Sequence, residues 1–173
     1  MKLIGLFFCH ILPRKTDLFK TLRRDHVVPR TKPGVQFNQS LLQDATAAVK
    51  ALGIDIGPLQ LLVVENTTEV HNLIVCTLCS CYPRTLLGLP PDWYKSREYR
   101  SRAGREPRAV LQEFGTEIPD EVEVRVHDST ADLRYLVLPQ RPAGTGHLSE
   151  DELGALVKRD SMIGVTVVQG PGS

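Results

Sequence analysis

Apolar residues recur at helical spacing just after residue 39. Leu41, Ala45, Ala48 and Leu52 fall on one face, Ser40 is a capping residue and Gly53 a stop, so the pattern predicts a helix over residues 40–52. Two short apolar runs follow, over residues 59–65 and 70–75. They read as strands broken by the turn residues Asn66-Thr67-Thr68. Pro90-Pro91 suits the first turn of a helix, which would carry Trp93 to about residue 103, and Pro107 opens another ending at Gly115. Val122, Val124 and Val126 alternate with charged residues, predicting a strand over 121–127 with the valines inward. A strand is expected over 134–138. Ser149 and Glu152 form a capping-box pattern for a helix to residue 158, and residues 162–168 read as a last strand. Helices and strands are interspersed, which gives an α+β or α/β class.

Composition narrows this. The 173 residues, 42% hydrophobic and 24% charged, fit one domain with an arm. No apolar run approaches the roughly 18 residues of a membrane span, so no membrane partner is expected. Residues 1–35 hold eight Lys/Arg against Asp17 and Asp25, and the rest of the chain is net acidic. We read residues 1–38 as an extended basic arm, lying on a partner subunit or loose in solvent, and residues 39–173 as the globular domain. The apolar stretch 1–12 lacks secretory features: it has one lysine, His10 interrupts it, and Pro13-Arg14-Lys15 stands where a small-residue cleavage site would be. A cytoplasmic protein is expected.

The cysteines carry the chemistry. Three of the four, Cys76, Cys79 and Cys81, fall within six residues at the end of a predicted strand, and Cys9 stands apart. A disulfide framework spreads its cysteines, whereas this clustering points to metal or redox chemistry. A tetrahedral zinc site would need further Cys or His ligands at suitable spacing. His71 is nearest, and a histidine on a short strand is more often a partly buried, hydrogen-bonded residue. Neither zinc nor a thioredoxin-like pair accounts for Cys79-Ser80-Cys81. A chelate does. The sulfurs of Cys79 and Cys81, with the backbone nitrogens of Ser80 and Cys81, close two five-membered rings and one six-membered ring around a single ion. They form a near-planar claw, and Cys76 is in reach as an axial thiolate. Three thiolates and two deprotonated amides favour a low-spin trivalent transition ion, Co(III) or Fe(III), over Zn²⁺, Mg²⁺ or Ca²⁺. The sixth position stays open for a Lewis-acid role.

The stretch Val75-Cys76-Thr77-Leu78-Cys79-Ser80-Cys81-Tyr82-Pro83, with Leu87-Gly88-Leu89-Pro90-Pro91 and Trp93-Tyr94-Lys95, resembles the metal-binding α subunit of nitrile hydratases. The likeness continues through Tyr99-Arg100-Ser101-Arg102, Arg108, Phe114-Gly115, Arg134-Tyr135 and residues 138–145 to residues 159–165, covering roughly residues 40–168 in order. The resemblance implies an α+β domain layered α-β-β-α. It also implies a heteromeric hydro-lyase that converts a nitrile to the amide, active only with one β-type subunit or two different ones. By position Cys76, Cys79 and Cys81 would be the thiolate ligands, and Ser80 and Cys81 would supply the amide nitrogens. Cys79 would become a sulfinic acid and Cys81 a sulfenic acid, both at the catalytic centre. Thr77 resembles the cobalt type, which places Co(III) ahead of iron.

Arg84 stands three residues after the last cysteine, where nitrile hydratases usually have a tryptophan. In this it resembles thiocyanate hydrolase, a relative with the same claw. An arginine near the open metal position would favour an anionic, phosphate-like or carboxylate substrate group, and a salt bridge to a partner subunit is the plainer role. Only 75 residues precede Cys76, which would suit the nitrile hydratases built from three smaller subunits, such as those acting on the nucleoside antibiotic toyocamycin. A non-catalytic zinc-binding or metal-free interaction module is the remaining alternative. The basic stretch Arg97, Arg100, Arg102, Arg105 and Arg108 is interleaved with Glu98, Glu106 and Glu113. It reads as a helix surface rather than a nucleic-acid site. Glu65 and Asp160 are candidates for hydrogen bonds that support the metal loop.

Overall fold

The computed structural model describes residues 39–171. The arm read over residues 1–38, including Cys9, lies outside the described residues. Residues 39–43 are helical and helix α1 is Ala45–Ala51. The two segments are separated at Asp44, whose φ of −149° leaves the helical region and whose carboxylate accepts the Ala47 N–H at 2.9 Å. Aspartate competes for backbone donors in this way and so starts a helix more readily than it continues one. Leu41, Ala45, Ala48 and Val49 are buried, whereas Leu52 lies past the helix end and is 37% exposed.

Four strands follow in two parallel pairs: β1 (Gln60–Glu65), β2 (Val70–Val75), β3 (Glu123–Asp128) and β4 (Leu133–Leu138). β1 pairs with β4, from Gln60 opposite Leu133 to Glu65 opposite Leu138. β2 pairs with β3, from Val70 opposite Glu123 to Val75 opposite Asp128. The links after β1 and after β3 therefore carry the chain from one sheet to the other and do not close hairpins. Thr67 shapes the first link, its hydroxyl accepting the N–H groups of Glu69 and Val70. The second half of β2 and of β4 is a continuous apolar run. Leu73, Ile74, Val75, Leu136, Val137 and Leu138 are all buried, as strands covered on both faces require. β2 lies against β4, α1 packs on β1, and a later helix packs on β3, so helices cover the strands of a mixed α+β domain.

Between β2 and β3 the expected helix over 93–103 forms as two pieces, α3 (Asp92–Lys95) and α4 (Arg97–Arg102). Ser96 breaks it by adopting an extended conformation and capping the Tyr99 N–H at 3.1 Å. A short helix α2 (Arg84–Leu87), not anticipated, buries Leu86 and Leu87. Helix α5 (Pro107–Glu113) opens at its proline as expected and is the helix that packs on β3. Tyr82, Trp93, Tyr94, Tyr99 and Phe114 form an aromatic cluster with edge-to-face contacts, including Trp93 to Phe114 at 4.8 Å and Tyr82 to Tyr94 at 4.9 Å. These rings belong to the core that supports the loop after β2.

The C-terminal segment differs from the sequence expectation. Helix α6 (Glu150–Leu156) has the Ser149–Glu152 capping box, but the last strand expected over 162–168 does not form. Its first residues belong to helix α7 (Arg159–Ile163), which packs on β4 and β2. The Ser161 hydroxyl starts this helix by accepting the Lys158 N–H and donating to the Lys158 carbonyl. Gly164 then ends it at φ +85°. A Cβ at Gly164 would stand 1.9 Å from the Asn72 carbonyl oxygen, so only glycine fits between α7 and β2.

Candidate metal centre

β2 delivers the cysteines. Its last residue, Val75, is buried, and Cys76 directly after it is also buried. Thr77 through Ser80 are exposed and Cys81 is half-buried. The sulfurs of Cys76 and Cys79 lie 3.3 Å apart, those of Cys79 and Cys81 lie 3.0 Å apart, and all three fall within 4.8 Å. Two sulfurs at right angles on one ion, with bonds of about 2.3 Å, stand about 3.3 Å apart, whereas tetrahedral ligands stand about 3.8 Å apart. The two short spacings, both to Cys79, suit neighbouring ligands at right angles on one ion.

The Cys79 and Cys81 thiols are shifted in opposite directions. Hydrogen bonds from Cys81 first, and from Cys76 next, lower the Cys79 pKa to about 7. Burial first, and the bond to Cys79 next, push Cys81 up to about 12, with Arg134 opposing them.

Each turn of the loop is fixed by a side chain from another element. Asp128, at the end of β3, accepts the Thr77 N–H at 2.9 Å and the Thr77 hydroxyl at 2.5 Å. Arg100 of α4 donates from Nη1 to the Cys79 carbonyl at 3.0 Å. Tyr94 of α3 donates its hydroxyl to the Cys81 carbonyl at 2.8 Å. Tyr99 ties α4 to β2 by donating to the Ile74 carbonyl at 2.6 Å, and Arg134 of β4 donates from Nε to the Tyr82 carbonyl at 3.3 Å. Carbonyl and amide groups that sequence position alone leaves free are thereby held in one orientation.

The other candidates divide. Arg84 opens α2 with its side chain exposed, and no hydrogen bond or ion pair ties it to the cluster among the described residues. His71 is not a ligand in the described cluster. Its Nε2 donates to the Gly164 carbonyl at 2.7 Å and its Nδ1 accepts from Asn66 at 3.2 Å, so it stitches β2 to the end of α7. His127 stands 2.8 Å from Asn72 Oδ1. Cys9, His10 and His26 lie outside the described residues. The Asp160 carboxylate takes Arg159, and the Glu65 carbonyl takes the Asn72 amide. The side chains seen to hold the loop are Asp128, Tyr94 and Arg100, to which the sequence reading gave no such role. Two of these lie in the stretches that carry the family resemblance. Asp128 becomes visible only once the β2–β3 register is known. In the basic stretch, Arg102 pairs with Glu106 and Glu113, and Arg108 binds the carbonyls of Ile118 and Pro119, so these arginines are structural.

Comparison with known proteins agrees with this geometry. Residues 16–166 match the family model "Nitrile hydratase, alpha chain". The match begins within the stretch read as the arm. The chain is 53% identical over 148 residues to the low-molecular weight cobalt-containing nitrile hydratase subunit alpha of Rhodococcus rhodochrous, covering 84% of this chain and 70% of that one. It is 42% identical over 144 residues to the thiocyanate hydrolase subunit gamma of Thiobacillus thioparus, covering 76% and 59%. Among solved structures, a double mutant of the Fe-type nitrile hydratase from Comamonas testosteroni Ni1 superposes with a TM-score of 0.81 at 41% identity, covering 94% of this chain and 76% of that one. A three-cysteine loop at a strand end, built into this fold and matched along most of its length, places the chain in the nitrile hydratase alpha chain family.

Proposed function

We propose that this chain is the metal-binding α subunit of a heteromeric nitrile hydratase that hydrates a nitrile to its amide at a low-spin Co(III) centre. The observation that carries this reading is the convergence of Cys76, Cys79 and Cys81 within 4.8 Å, with the Cys79 sulfur 3.3 Å from that of Cys76 and 3.0 Å from that of Cys81. These three sulfurs and the nitrogens of Ser80 and Cys81 would hold the ion. Soft thiolates and amide nitrogens suit cobalt or iron rather than a hard cation. Thr77 and the cobalt-containing relatives favour cobalt, and the Fe-type structural neighbour marks iron as the alternative. When bound, the ion would supply a Lewis acid at one open position.

The chain's own residues shape that site. Asp128, Arg100 and Tyr94 fix the loop so that the donors are presented without reorganisation. Exposure of Thr77 to Ser80 leaves the loop's outer face for a β-type partner, or two different ones, to complete the site. Cys79 and Cys81 would carry the sulfinic and sulfenic oxidations, and Arg84 would meet the substrate or the partner. Residues 1–38 would be the arm that lies on that partner. Among the described residues no helix is long and apolar enough to cross a membrane, and we place the complex in the cytoplasm.

The test is co-expression with the partner subunit, followed by metal analysis, intact mass and a screen of small nitriles, a nucleoside nitrile and thiocyanate. About one cobalt per chain, three added oxygens and amide product are expected. Stoichiometric zinc with fully reduced cysteines would overturn the reading in favour of a non-catalytic module. A second reading, the metal subunit of a thiocyanate hydrolase, is favoured by Arg84 and by the 42% identity to such a subunit. Turnover of thiocyanate without amide formation would establish it.

A further inference from the structure

The peptide joining Cys79 to Ser80 has two roles. Its nitrogen is one of the proposed metal donors, and its oxygen accepts Arg100 Nη1–H at 3.0 Å. When that nitrogen takes the ion, its N–H bond breaks, the proton leaves to solvent and a nitrogen–metal bond forms. Amide resonance shares the charge left behind with the carbonyl oxygen. A guanidinium at that oxygen therefore faces the atom on which the charge arrives. We propose that Arg100 is a positioning residue that stabilises the Cys79–Ser80 peptide in its ligating, negatively charged form, and so sets how completely the chain loads and retains its ion. This rests on the chelate reading above.

Three observations carry the inference. First, Arg100 is an unmatched cation: among the described residues it makes no ion pair, whereas Arg102, two residues on, pairs with both Glu106 and Glu113. Second, its Nε is buried without a hydrogen-bond partner. A guanidinium held half out of water with no counter-charge is costly unless negative charge gathers beside it. Three thiolates and two amidates sum to five negative charges and a trivalent ion leaves two, so the loaded loop provides that charge. Third, the contact is built on rigid parts. Ser96 caps α4, and Tyr99, next to Arg100, fastens it to the Ile74 carbonyl of β2, the strand that leads into Cys76. Arg100 is thus fixed relative to the loop before the ion arrives.

The test uses the full chain co-expressed with its partner at limiting cobalt, comparing wild type with Arg100→Gln, Arg100→Lys and, as a control on the same stretch, Arg105→Gln. Cobalt per chain and the thiolate-to-cobalt absorption band are read alongside assembly of the complex. We expect near-complete loading of wild type and Arg105→Gln, a tenfold or greater loss of cobalt in Arg100→Gln, and retention within threefold of wild type in Arg100→Lys, because the charge rather than the guanidinium shape is what the peptide needs. A shifted absorption band in whatever cobalt Arg100→Gln retains would mark altered donors, which a merely structural role would not produce. Equal loading of Arg100→Gln and wild type, or a lysine variant no better than the glutamine one, overturns the inference. Should Arg100→Gln fail to assemble, Arg100→Lys decides alone by the same threefold limit. A wild-type complex that takes no cobalt would instead defeat the reading of the site itself.

Discussion

Thr77 and Asp128 are joined twice. The Thr77 N–H reaches one carboxylate oxygen at 2.9 Å and the Thr77 hydroxyl reaches the other at 2.5 Å. Asp128 pairs with Val75 in the parallel register, so the clasp closes two residues beyond the last apolar residue before the cysteines. It fixes the start of the loop from the neighbouring strand rather than from within. Asp128→Ala is expected to lower stability by about 1 kcal/mol, since the contact is solvent-exposed, a fall of roughly 2–4 °C in melting temperature. Cobalt content should drop as well. Asp128→Asn, which keeps one acceptor, should lie between. Melting curves and metal analysis of the three proteins check this ordering, and an alanine variant with full cobalt content would contradict the clasp.

Gly164 leaves no room for a side chain. Alanine there must hold a φ of +85° and place its Cβ 1.9 Å from the Asn72 carbonyl oxygen. The left-handed conformation alone costs roughly 1–2 kcal/mol. Relief of the clash must move α7 away from β2, breaking the bond from His71 to the Gly164 carbonyl. Gly164→Ala should therefore cost about 3 kcal/mol or more in denaturant unfolding, or prevent recovery of folded protein. At Gly104 a Cβ would meet no heavy atom within 4 Å and φ is not positive, so Gly104→Ala is the control and should be tolerated.

The contrast between these positions bears on what the chain discloses before it is folded. The strands over 59–65, 70–75 and 134–138 and the Ser149–Glu152 cap were legible because hydrophobic runs and caps are local signals. The cysteine cluster was legible because Cys76, Cys79 and Cys81 fall within six residues of one another. The parallel pairing of β1 with β4 and of β2 with β3 was not, since register is set by partners more than fifty residues away. Asp128 was hidden for the same reason, and Arg100 looked like one more charge in a basic stretch. The misread strand over 162–168 shows the opposite failure. Met162, Ile163 and Val165 are buried whether the backbone is helical or extended, so hydrophobicity alone could not choose between them.

His71 supplies a pH prediction. Its Nε2 donates to the Gly164 carbonyl and its Nδ1 accepts from Asn66, an arrangement that needs the neutral ring. Burial lowers its pKa below the ordinary 6.5, partly opposed by the bond to Gly164. The unfolded chain thus binds the proton more readily than the folded one. The stabilising contribution is fully present above about pH 6.5 and declines as pH falls below it, because protonation then favours unfolding. His127, also lowered by burial and next by Arg125, adds in the same direction. Unfolding free energy should fall between pH 7 and pH 5, and His71→Gln should be less stable at pH 7 but decline less steeply. A variant with the same slope as wild type would assign the decline to other groups.

In the proposed function Arg84 would meet either the substrate or the partner subunit. It is exposed, at the start of α2, and makes no ion pair among the described residues, so its replacement should change folding stability by no more than about 0.5 kcal/mol. Leu86 and Leu87 anchor the helix independently. If the guanidinium meets the substrate, Arg84→Trp in the co-expressed complex should depress kcat/KM for an anionic substrate relative to a neutral nitrile by about tenfold, the effect of losing roughly 1.4 kcal/mol of selective charge stabilisation. Arg84→Lys should keep most of the preference for the anion. If Arg84 instead pairs with the partner subunit, both substrates should fall together and the complex should dissociate at lower salt. Parallel kinetics on thiocyanate and a small nitrile, with assembly followed across ionic strength, separate the two roles.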